Sequence, residues 1–342
     1  MYTMKRFTLA HGSGGVETQE IIENIIRPKA KLWKVPDGIG LDELDDGSTI
    51  PLKIGGEERH LVVSTDIYTV KPIFFPGGDI GKLAAAGSIN DVAVMGAKPI
   101  AVMDSIAVEE GFSIDDFEKI MTSFTQVLEK ENVALIGGDF KVMPKGSVDG
   151  IVISTTGIGI ANKLLKDSNL RPGYSIVVSG YVGDHGATIM ACQLGLGVSG
   201  ELKSDVATLT KVMDIALKYD VVAAKDPTRG GLAMALNEMA RKSGTSIIVY
   251  EDKIPIRESV KAYGEMMGID PLVLASEGVA VLCVSSEDAK DLVEELRNNG
   301  YKHAEIIGEV RREPIGKVFL KTVVGGVRVI ERPFGEIVPR IC

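Results

Sequence analysis

Apolar and polar residues alternate along short segments of the first half of the chain, and stretches with helical spacing separate these segments. The alternating, β-branched segments predict strands at residues 60–70, 99–108, 133–136 and 148–160. Small or apolar residues at helical spacing predict helices at residues 79–95 and 113–130, the second with Ser113 as its N-cap. The first half is therefore predicted to form a sheet with helices packed on it.

The second half starts after a polar stretch, residues 162–171, which ends in Pro172-Gly173. Predicted strands follow at residues 175–182, 246–250, 278–284, 304–310, 317–322 and 327–330. Predicted helices follow at residues 186–194, 205–219, 231–242 and 289–298. Because several neighbouring strands have short links, we expect an α+β fold with a mixed sheet covered by helices in each domain, not a doubly wound sheet.

Length supports two domains, because 342 residues exceed what one hydrophobic core usually organises. We predict an N-terminal domain over residues 1–161, a C-terminal α/β domain over 162–331 and a tail over 332–342. Two prolines and a glycine in the tail exclude a helix there, so the tail is expected to be extended and movable.

Composition narrows the function classes. Hydrophobic residues make up 45% and charged residues 25% of the chain, as in folded globular proteins. The formal net charge of -9 argues against general nucleic-acid binding. No run approaches the roughly 20 apolar residues of a membrane span, and the start has no apolar signal core, so a cytosolic protein without membrane contact is expected.

Three cysteines are too few and too far apart for a disulfide framework or a zinc site. Cys192 lies in a helical pattern and Cys283 in a predicted strand, where both are typical core residues. Cys342 is the last residue of the sequence, a position that chance gives to one of three cysteines in only about one case in a hundred. A thiol on a movable tail is a candidate nucleophile.

Two further features carry candidate chemistry. His11-Gly12-Ser13-Gly14-Gly15 precedes a predicted amphipathic helix near Val16, and amide groups of such a loop can hold phosphate oxygens, although glycine loops are more often plain turns. Asp66, Asp91 and Asp139 lie in or near element ends and offer the oxygen ligands that Mg²⁺ prefers, although each alone could be a solvated cap.

Ordered motifs then point to a family. They are Ser64-Thr65-Asp66, Pro76-Gly77-Gly78-Asp79-Ile80-Gly81-Lys82, Asn90-Asp91, Gly96-Ala97-Lys98-Pro99, Gly137-Gly138-Asp139 and Asp226-Pro227-Thr228-Arg229-Gly230-Gly231-Leu232. Together they resemble the aminoimidazole-ribonucleotide synthetase superfamily over nearly the whole chain. That superfamily includes selenophosphate synthetase, thiamine-monophosphate kinase and the HypE family. The first glycine loop lacks the cysteine or selenocysteine expected of selenophosphate synthetase, and the ending Pro339-Arg340-Ile341-Cys342 is similar to the HypE tail.

The resemblance to HypE implies an activity and partners. A HypE chain accepts a carbamoyl group from HypF on its terminal cysteine and uses ATP to dehydrate it to a thiocyanate. The cyano group then passes to iron held by HypC and HypD, for the [NiFe] hydrogenase centre. The resemblance also implies a homodimer built on N-terminal-domain sheets, with ATP held near the dimer interface.

Site residues follow from the same resemblance. Cys342 would carry the substrate, with Lys141 and Glu277 as catalytic residues that contact the amide oxygen or accept a proton. Mg²⁺ would be held by Asp66, Asp91 and Asp139. The ATP phosphates would be held by the same acids with Asn90 and the loop of His11, Gly12, Ser13, Gly14 and Gly15.

Several alternatives stay open from the sequence. A related kinase for a free small molecule would use the same nucleotide site but would not need Cys342. A nucleotide-dependent scaffold would bind Mg·ATP without chemistry. His185 could line a site or serve as a turn residue, and it is left out of the predicted site, while His60 and His303 are expected to be structural.

Overall fold

The first sheet of the chain is mixed and has five strands. A computed structural model of the chain describes residues 6–196, 202–335 and 340–342. The strands of the first half are β1 (Ser48–Ile54), β2 (Glu57–Tyr68), β3 (Phe74–Phe75), β4 (Gly78–Asp79), β5 (Lys98–Glu109), β6 (Ala134–Met143) and β7 (Ile151–Ala161). The large sheet has the order β1-β2-β7-β5-β6, in which only β5 and β6 pair in parallel, and β3 and β4 form a small ribbon.

Helices cover one face of this sheet. The helices of the first half are α1 (Val16–Ile21), α2 (Ile80–Val94) and α3 (Ile114–Glu131). The side chain of Asp79 caps α2 by accepting from the amides of Gly81 and Lys82 at 2.8 and 3.0 Å. Nearly every α2 residue is buried, because the helix lies between the sheet and α3 and also packs against the second half of the chain.

The second sheet has seven strands, in the order β14-β13-β10-β12-β8-β11-β9, and only β10 and β13 pair in parallel. Its strands are β8 (Ser175–Val178), β9 (Val221–Lys225), β10 (Ser246–Tyr250), β11 (Val281–Val284), β12 (Glu305–Arg311), β13 (Lys317–Lys321) and β14 (Val327–Val329). The helices of this half are α4 (Asp184–Gln193), α5 (Thr210–Ala216), α6 (Gly231–Lys242), α7 (Glu258–Met267) and α8 (Ala289–Asn298).

Both faces of the second sheet are covered. Along β8, Ile176 and Val178 pack in the cluster formed with α6, whereas Val177 packs in the cluster formed with α5 and α8. This alternation follows from the two-residue period of a strand. Within the described ranges, no helix has the length and apolar character needed to cross a membrane.

The predicted α+β fold is confirmed, with differences in a few elements. Strand β6 continues through Gly137-Gly138 to Met143, because its pairing with β5 holds the glycines extended. The helix predicted from residue 205 begins at Thr210, and the helix predicted near Val16 has only six residues before a π-helical turn. The sequence patterns did not reveal β1, β9 or α7.

Candidate functional site

Cys342 is buried in the largest apolar cluster, where it lies with Tyr68 of β2 and residues of α2 and α4. Its main-chain oxygen accepts from the Thr69 amide at 2.9 Å, and the Arg340 oxygen accepts from the Lys71 amide at 3.1 Å. Residues 340–342 thus have a defined seat beside the end of β2. Residues 336–339 of the predicted tail lie outside the described residues.

The Cys342 thiol is surrounded by charged side chains. Burial raises the pKa of this thiol, the guanidinium of Arg229 lowers it in part, and the negative charge of Glu277 raises it further. A thiol with a raised pKa stays protonated and is a poor nucleophile. The seat therefore suits an uncharged cysteine derivative better than a thiolate. The sequence indicated a candidate nucleophile, and in this position loss of solvent is the main physical cause that opposes ionisation of the thiol.

Carboxylates of both halves of the chain meet next to this thiol. Asp91 on α2 accepts from the hydroxyl of Ser64 at 2.6 Å. Burial raises the pKa of Asp91, and repulsion by Asp226 and then Asp66 raises it further. Burial also raises the pKa of Asp226 to about 7, with repulsion by Asp46 as the next contribution. These mutual effects indicate one acidic cluster of Asp46, Asp66, Asp91 and Asp226, in which Asp226 is buried and the other three are half-buried.

This acidic cluster fits an oxygen-ligated cation. One carboxylate oxygen each of Asp46, Asp226 and Glu277 is buried without a hydrogen-bond partner. Such oxygens are costly to bury, and a divalent cation is the partner that hard carboxylate ligands prefer. Among the described residues, no three His, Cys, Asp or Glu side chains are already arranged to hold a metal ion. These carboxylate side chains would therefore have to move towards the ion to coordinate it.

Glu277 lies deep in the same region, just before β11. Burial raises the pKa of its carboxyl well above the usual value, and repulsion by Asp226 and Asp205 adds to the rise. Its amide donates to the Asp205 carboxylate at 3.1 Å, which fixes its backbone. Asp66 accepts from Arg229 at 3.4 Å and Asp46 pairs with Lys225, so two cationic side chains already lie among these acids. Added positive charge would lower the pKa of this carboxyl and favour its ionised form, which could then accept a proton.

Asn90 connects α2 to the second half of the chain. Its side-chain amide donates to the main-chain oxygens of Ala207 at 3.0 Å and Glu277 at 3.3 Å, and its oxygen accepts from the Leu209 amide at 2.8 Å. These bonds use both N–H groups. The structure therefore places Asn90 as a positioning residue for Glu277, and its predicted contact with phosphates stays a prediction.

The glycine loop closes over the same region from the N-terminal side. A Cβ atom on Gly14, whose φ is +78°, would lie 2.6 Å from Cβ of Arg229, so this position needs glycine. The Gly14 amide donates to Thr18, and the Ser13 hydroxyl donates to Ala10 at 2.9 Å and Gly335 at 3.2 Å. The loop thus contacts both the Arg229 turn and the start of the tail.

The remaining loop residues have separate surroundings. Gly12 is exposed, and Gly15 is buried beside the Pro333 oxygen. The His11 ring packs edge-on against Phe7 and bonds to Thr8 at 2.8 Å. A cavity of about 20 Å³ between this loop, the tail and the Gly230 turn is the size of one water molecule. Because α1 has only six residues, its start is no ready-made phosphate site.

Asp139 and Lys141 lie elsewhere, on the edge strand β6. They form an exposed ion pair at 3.2 Å, with 63% and 66% of their side chains accessible. The strands β7 and β5 separate β6 from β2, which puts Asp139 about 14 Å from Asp66 at roughly 4.8 Å per strand. The structure therefore does not bring the predicted trio Asp66, Asp91 and Asp139 together within one chain, and the cause is the strand order.

Sequence reasoning missed several residues of this site. Asp226 and Arg229 stood in a quoted motif without a role, and Asp46 follows Asp45 in a loop that gave no periodic signal. Each reaches the site from a different segment, so only the fold brings them together. His185 was left out, yet its buried ring bonds to the tail at Ile341.

Comparison with known proteins places these features in a family. The AIR synthase related protein family matches twice, with its N-terminal domain at residues 44–161 and its C-terminal domain at residues 171–321. A putative hydrogenase expression/formation protein of Methanocaldococcus jannaschii is 46% identical over 98% of this chain and 100% of its own length. The carbamoyl dehydratase HypE of Azotobacter vinelandii is 37% identical over 98% of this chain and 96% of its length.

Solved structures agree with the sequence relatives. A HypE-HypF complex contains a chain with a TM-score of 0.82 and 37% identity, covering 92% of this chain and 99% of that one. A HypE structure in complex with ATP has a TM-score of 0.80 and 35% identity, covering 98% and 100%. The chain therefore belongs to the AIR synthase related proteins and, within them, to the HypE family of carbamoyl dehydratases.

Proposed function

We propose that the chain dehydrates an S-carbamoyl group on its own Cys342 to a thiocyanate with ATP, and so supplies cyanide for maturation of a [NiFe] hydrogenase. The observation that carries this proposal is the buried seat of Cys342, beside Arg229 and Glu277 and next to an acidic cluster. A free thiolate is disfavoured there, whereas the thiocarboxamide carries no charge.

The proposed reaction has two steps, a phosphorylation and then an elimination. The γ-phosphoryl group passes to the amide oxygen, which turns a poor leaving group into phosphate. The nitrogen loses two protons, the carbon–oxygen bond breaks, and the products are the thiocyanate, ADP and phosphate. Glu277 is the proposed acceptor of a nitrogen proton, since it lies at the seat and Arg229 favours its ionised form. Arg229 also offsets negative charge that develops near the sulfur.

Mg²⁺ is the proposed cation of the acidic cluster. Asp66 and Asp91 would hold it as predicted, with Asp226 and Asp46 in place of Asp139 within the same chain. Buried carboxylate oxygens without partners support this assignment. When bound, Mg²⁺ would neutralise charge on the ATP phosphates and position them. It would also lower the pKa of Glu277, so the base would be ready only when nucleotide is present.

The glycine loop of residues 11–15 is the proposed cover for the phosphates. Its support is its position against Arg229 and the tail. Several of its polar groups now have partners within the chain, so ATP would have to exchange these contacts for contacts to phosphate oxygens. The loop would then respond to nucleotide and tail together.

A homodimer is proposed through the uncovered face and edge of the first sheet. Large apolar side chains are exposed there: Ile67, Ile100, Met103, Leu135, Ile136, Phe140 and Val142. Exposed apolar patches of this kind are typical of interfaces. Asp139 and Lys141 lie in the same surface, so we propose that they act in the site of a second copy. In that position Lys141 could contact phosphate or the amide oxygen.

HypF is the proposed donor of the carbamoyl group, supported by the HypE-HypF complex of a relative. The HypC-HypD complex is the proposed acceptor of cyanide, and the cytoplasm the proposed location. The domain limits 1–161, 162–331 and 332–342 stay a proposal. The two sheets and the two matched ranges support them.

Intact-mass spectrometry tests the proposed function. The chain is incubated with HypF and carbamoyl phosphate, and Mg·ATP is added afterwards. We expect a gain of one carbamoyl group that then shrinks by one water, and no gain in Cys342→Ala. Cys192→Ala is the matched control and should behave as the unchanged chain. ATP binding without any mass change would contradict the proposal and favour a kinase or scaffold.

A further inference from the structure

The last three residues are seated by contacts on two sides. On one side, the main chain of Thr69 and Lys71 bonds to Cys342 and Arg340. Arg340 also donates to the Thr69 oxygen at 2.7 Å and pairs with Asp149. On the other side, the carbonyl of Ile341 faces away from β2 and bonds to Nε2 of His185 at 2.8 Å. This second contact comes from a different part of the fold.

His185 is rigidly held at the start of α4. Its ring is fully buried, and Phe75 packs against it edge-on with 5.5 Å between the ring centres. Its Nδ1 atom lies 2.7 Å from the hydroxyl of Ser204. That hydroxyl also accepts from the Val206 amide at 3.1 Å. Each ring nitrogen therefore has one partner, and these two bonds together with the packing of Phe75 fix the orientation of the ring.

The partners determine where the ring proton lies. The carbonyl of Ile341 can only accept, so Nε2 must carry a proton. Burial lowers the pKa of His185 to about 4, so the ring is neutral near pH 7 and Nδ1 is an acceptor. The Ser204 hydroxyl then donates to Nδ1. The result is a directed chain of donors from Val206 through Ser204 and His185 to Ile341, in which each bond strengthens the next.

We propose that His185 is a positioning residue that seats the carbamoylated tail for dehydration. This inference rests on the proposed function. Because Ile341 precedes Cys342, the fixed Nε2–H group sets where the sulfur lies relative to Glu277 and Arg229. When the tail leaves, a buried donor loses its only acceptor in this arrangement, which favours the seated tail. The tail must still leave its seat to reach a carbamoyl donor, so loss of the His185 contact should slow dehydration without slowing carbamoylation.

The test compares His185→Leu, which removes the donor at similar size, with His185→Gln, whose amide can still donate. His60→Leu on β2 is the control for loss of a histidine outside the tail contacts. Three properties are measured: alkylation of Cys342 by N-ethylmaleimide without ATP, carbamoylation by HypF, and loss of water after Mg·ATP in a single turnover. Melting temperatures identify variants that are merely unstable.

We expect His185→Leu to raise the alkylation rate about 10-fold, the change that loss of one typical hydrogen bond gives. Its single-turnover dehydration should fall about 10-fold, while carbamoylation should not fall, because it uses the released tail. His185→Gln and His60→Leu should stay near the unchanged chain. Equal losses in carbamoylation and dehydration, or an unchanged alkylation rate in a folded His185→Leu chain, would overturn the proposal.

A second variant keeps the proposal testable if His185→Leu does not fold. Ser204→Ala leaves the ring in place but removes the donor to Nδ1, and should give a smaller change in the same direction. No change in alkylation for this variant would count against the donor chain. Alkylation needs neither HypF nor ATP, so it tests the seat of the tail even if the proposed dehydration itself fails.

Discussion

The site around Cys342 and the edge strand β6 both carry residues of the predicted active site, but their surroundings are opposite. Burial, followed by repulsion from neighbouring carboxylates, raises the pKa of Asp91, Asp226 and Glu277. Asp139 and Lys141 are two-thirds exposed and paired with each other. Arg229 and Lys225 pair with Asp66 and Asp46 of this cluster, and the remaining buried carboxylate oxygens are unfavourable unless a ligand completes the cluster. The difference agrees with the proposed function, in which nucleotide and Mg²⁺ complete the Cys342 site and another protein surface covers the edge strand.

The largest expected effect concerns a dimer in which one chain lacks Lys141 of the edge strand and the other lacks Cys342. Lys141→Ala and Cys342→Ala should each lower dehydration by about 100-fold or more as homodimers. A purified heterodimer of the two variants should regain about half of the activity, since one of its two sites keeps both residues. Dehydration rates of differently tagged, copurified chains measure this. An inactive heterodimer would mean that Lys141 serves the site of its own chain, whereas a fully active Lys141→Ala homodimer would mean that Lys141 has no catalytic role.

The next effect concerns the apolar edge itself. Ile136→Glu places a charge in the proposed interface and should shift the chain from dimer to monomer, lowering dehydration about 10-fold or more at micromolar concentration. Val324→Glu is the matched control, because Val324 is an exposed apolar residue of the second half. Light scattering after size exclusion measures the shift. A monomeric but fully active Ile136→Glu chain would contradict action across the interface.

A smaller effect distinguishes the two regions by how the free energy of unfolding depends on pH. Burial raises the pKa of Asp205 to about 7, so its folded form binds a proton that the unfolded form releases near pH 4. The stability that this proton provides is present below about pH 4 and is lost as the pH rises through 7. Asp205→Asn should therefore raise the free energy of unfolding at pH 8, by up to about 4 kcal/mol, and change it little at pH 4.

Urea unfolding at both pH values measures this difference, with Asp139→Asn as the exposed control on β6. The asparagine can still accept from the Glu277 amide, so the fold around Glu277 should be retained. Equal effects of Asp205→Asn at pH 4 and pH 8 would mean that the acid is not buried as described.

The sequence predicted those parts of the molecule that local patterns control. Strand β7 follows from periodicity and helix α3 from periodicity and capping, and the α+β class follows from the order of such elements. The length of β6 did not follow, because a glycine pair has the same local signal in a turn and in an edge strand. The motifs indicated which residues belong to the family, but not that β6 lies three strands from β2.

The seat of the tail could not be predicted at all. Prolines and a glycine indicated an extended segment, but Arg340 has a left-handed backbone conformation with a φ of +48°. The partners of that segment come from β2, α4 and residue 204, which are distant along the chain. No periodic signal connects His185 to Ile341, since a buried histidine in a glycine context has no distinctive pattern.

The central claim is that dehydration takes place in the buried seat of Cys342, with Glu277 accepting a proton. The most direct test is a single turnover on isolated S-carbamoylated chains, comparing Glu277→Gln with the unchanged chain by intact mass. We expect both chains to gain the carbamoyl group, and only the unchanged chain to lose one water after Mg·ATP is added. Loss of water at a similar rate in Glu277→Gln would contradict the account and place the base elsewhere.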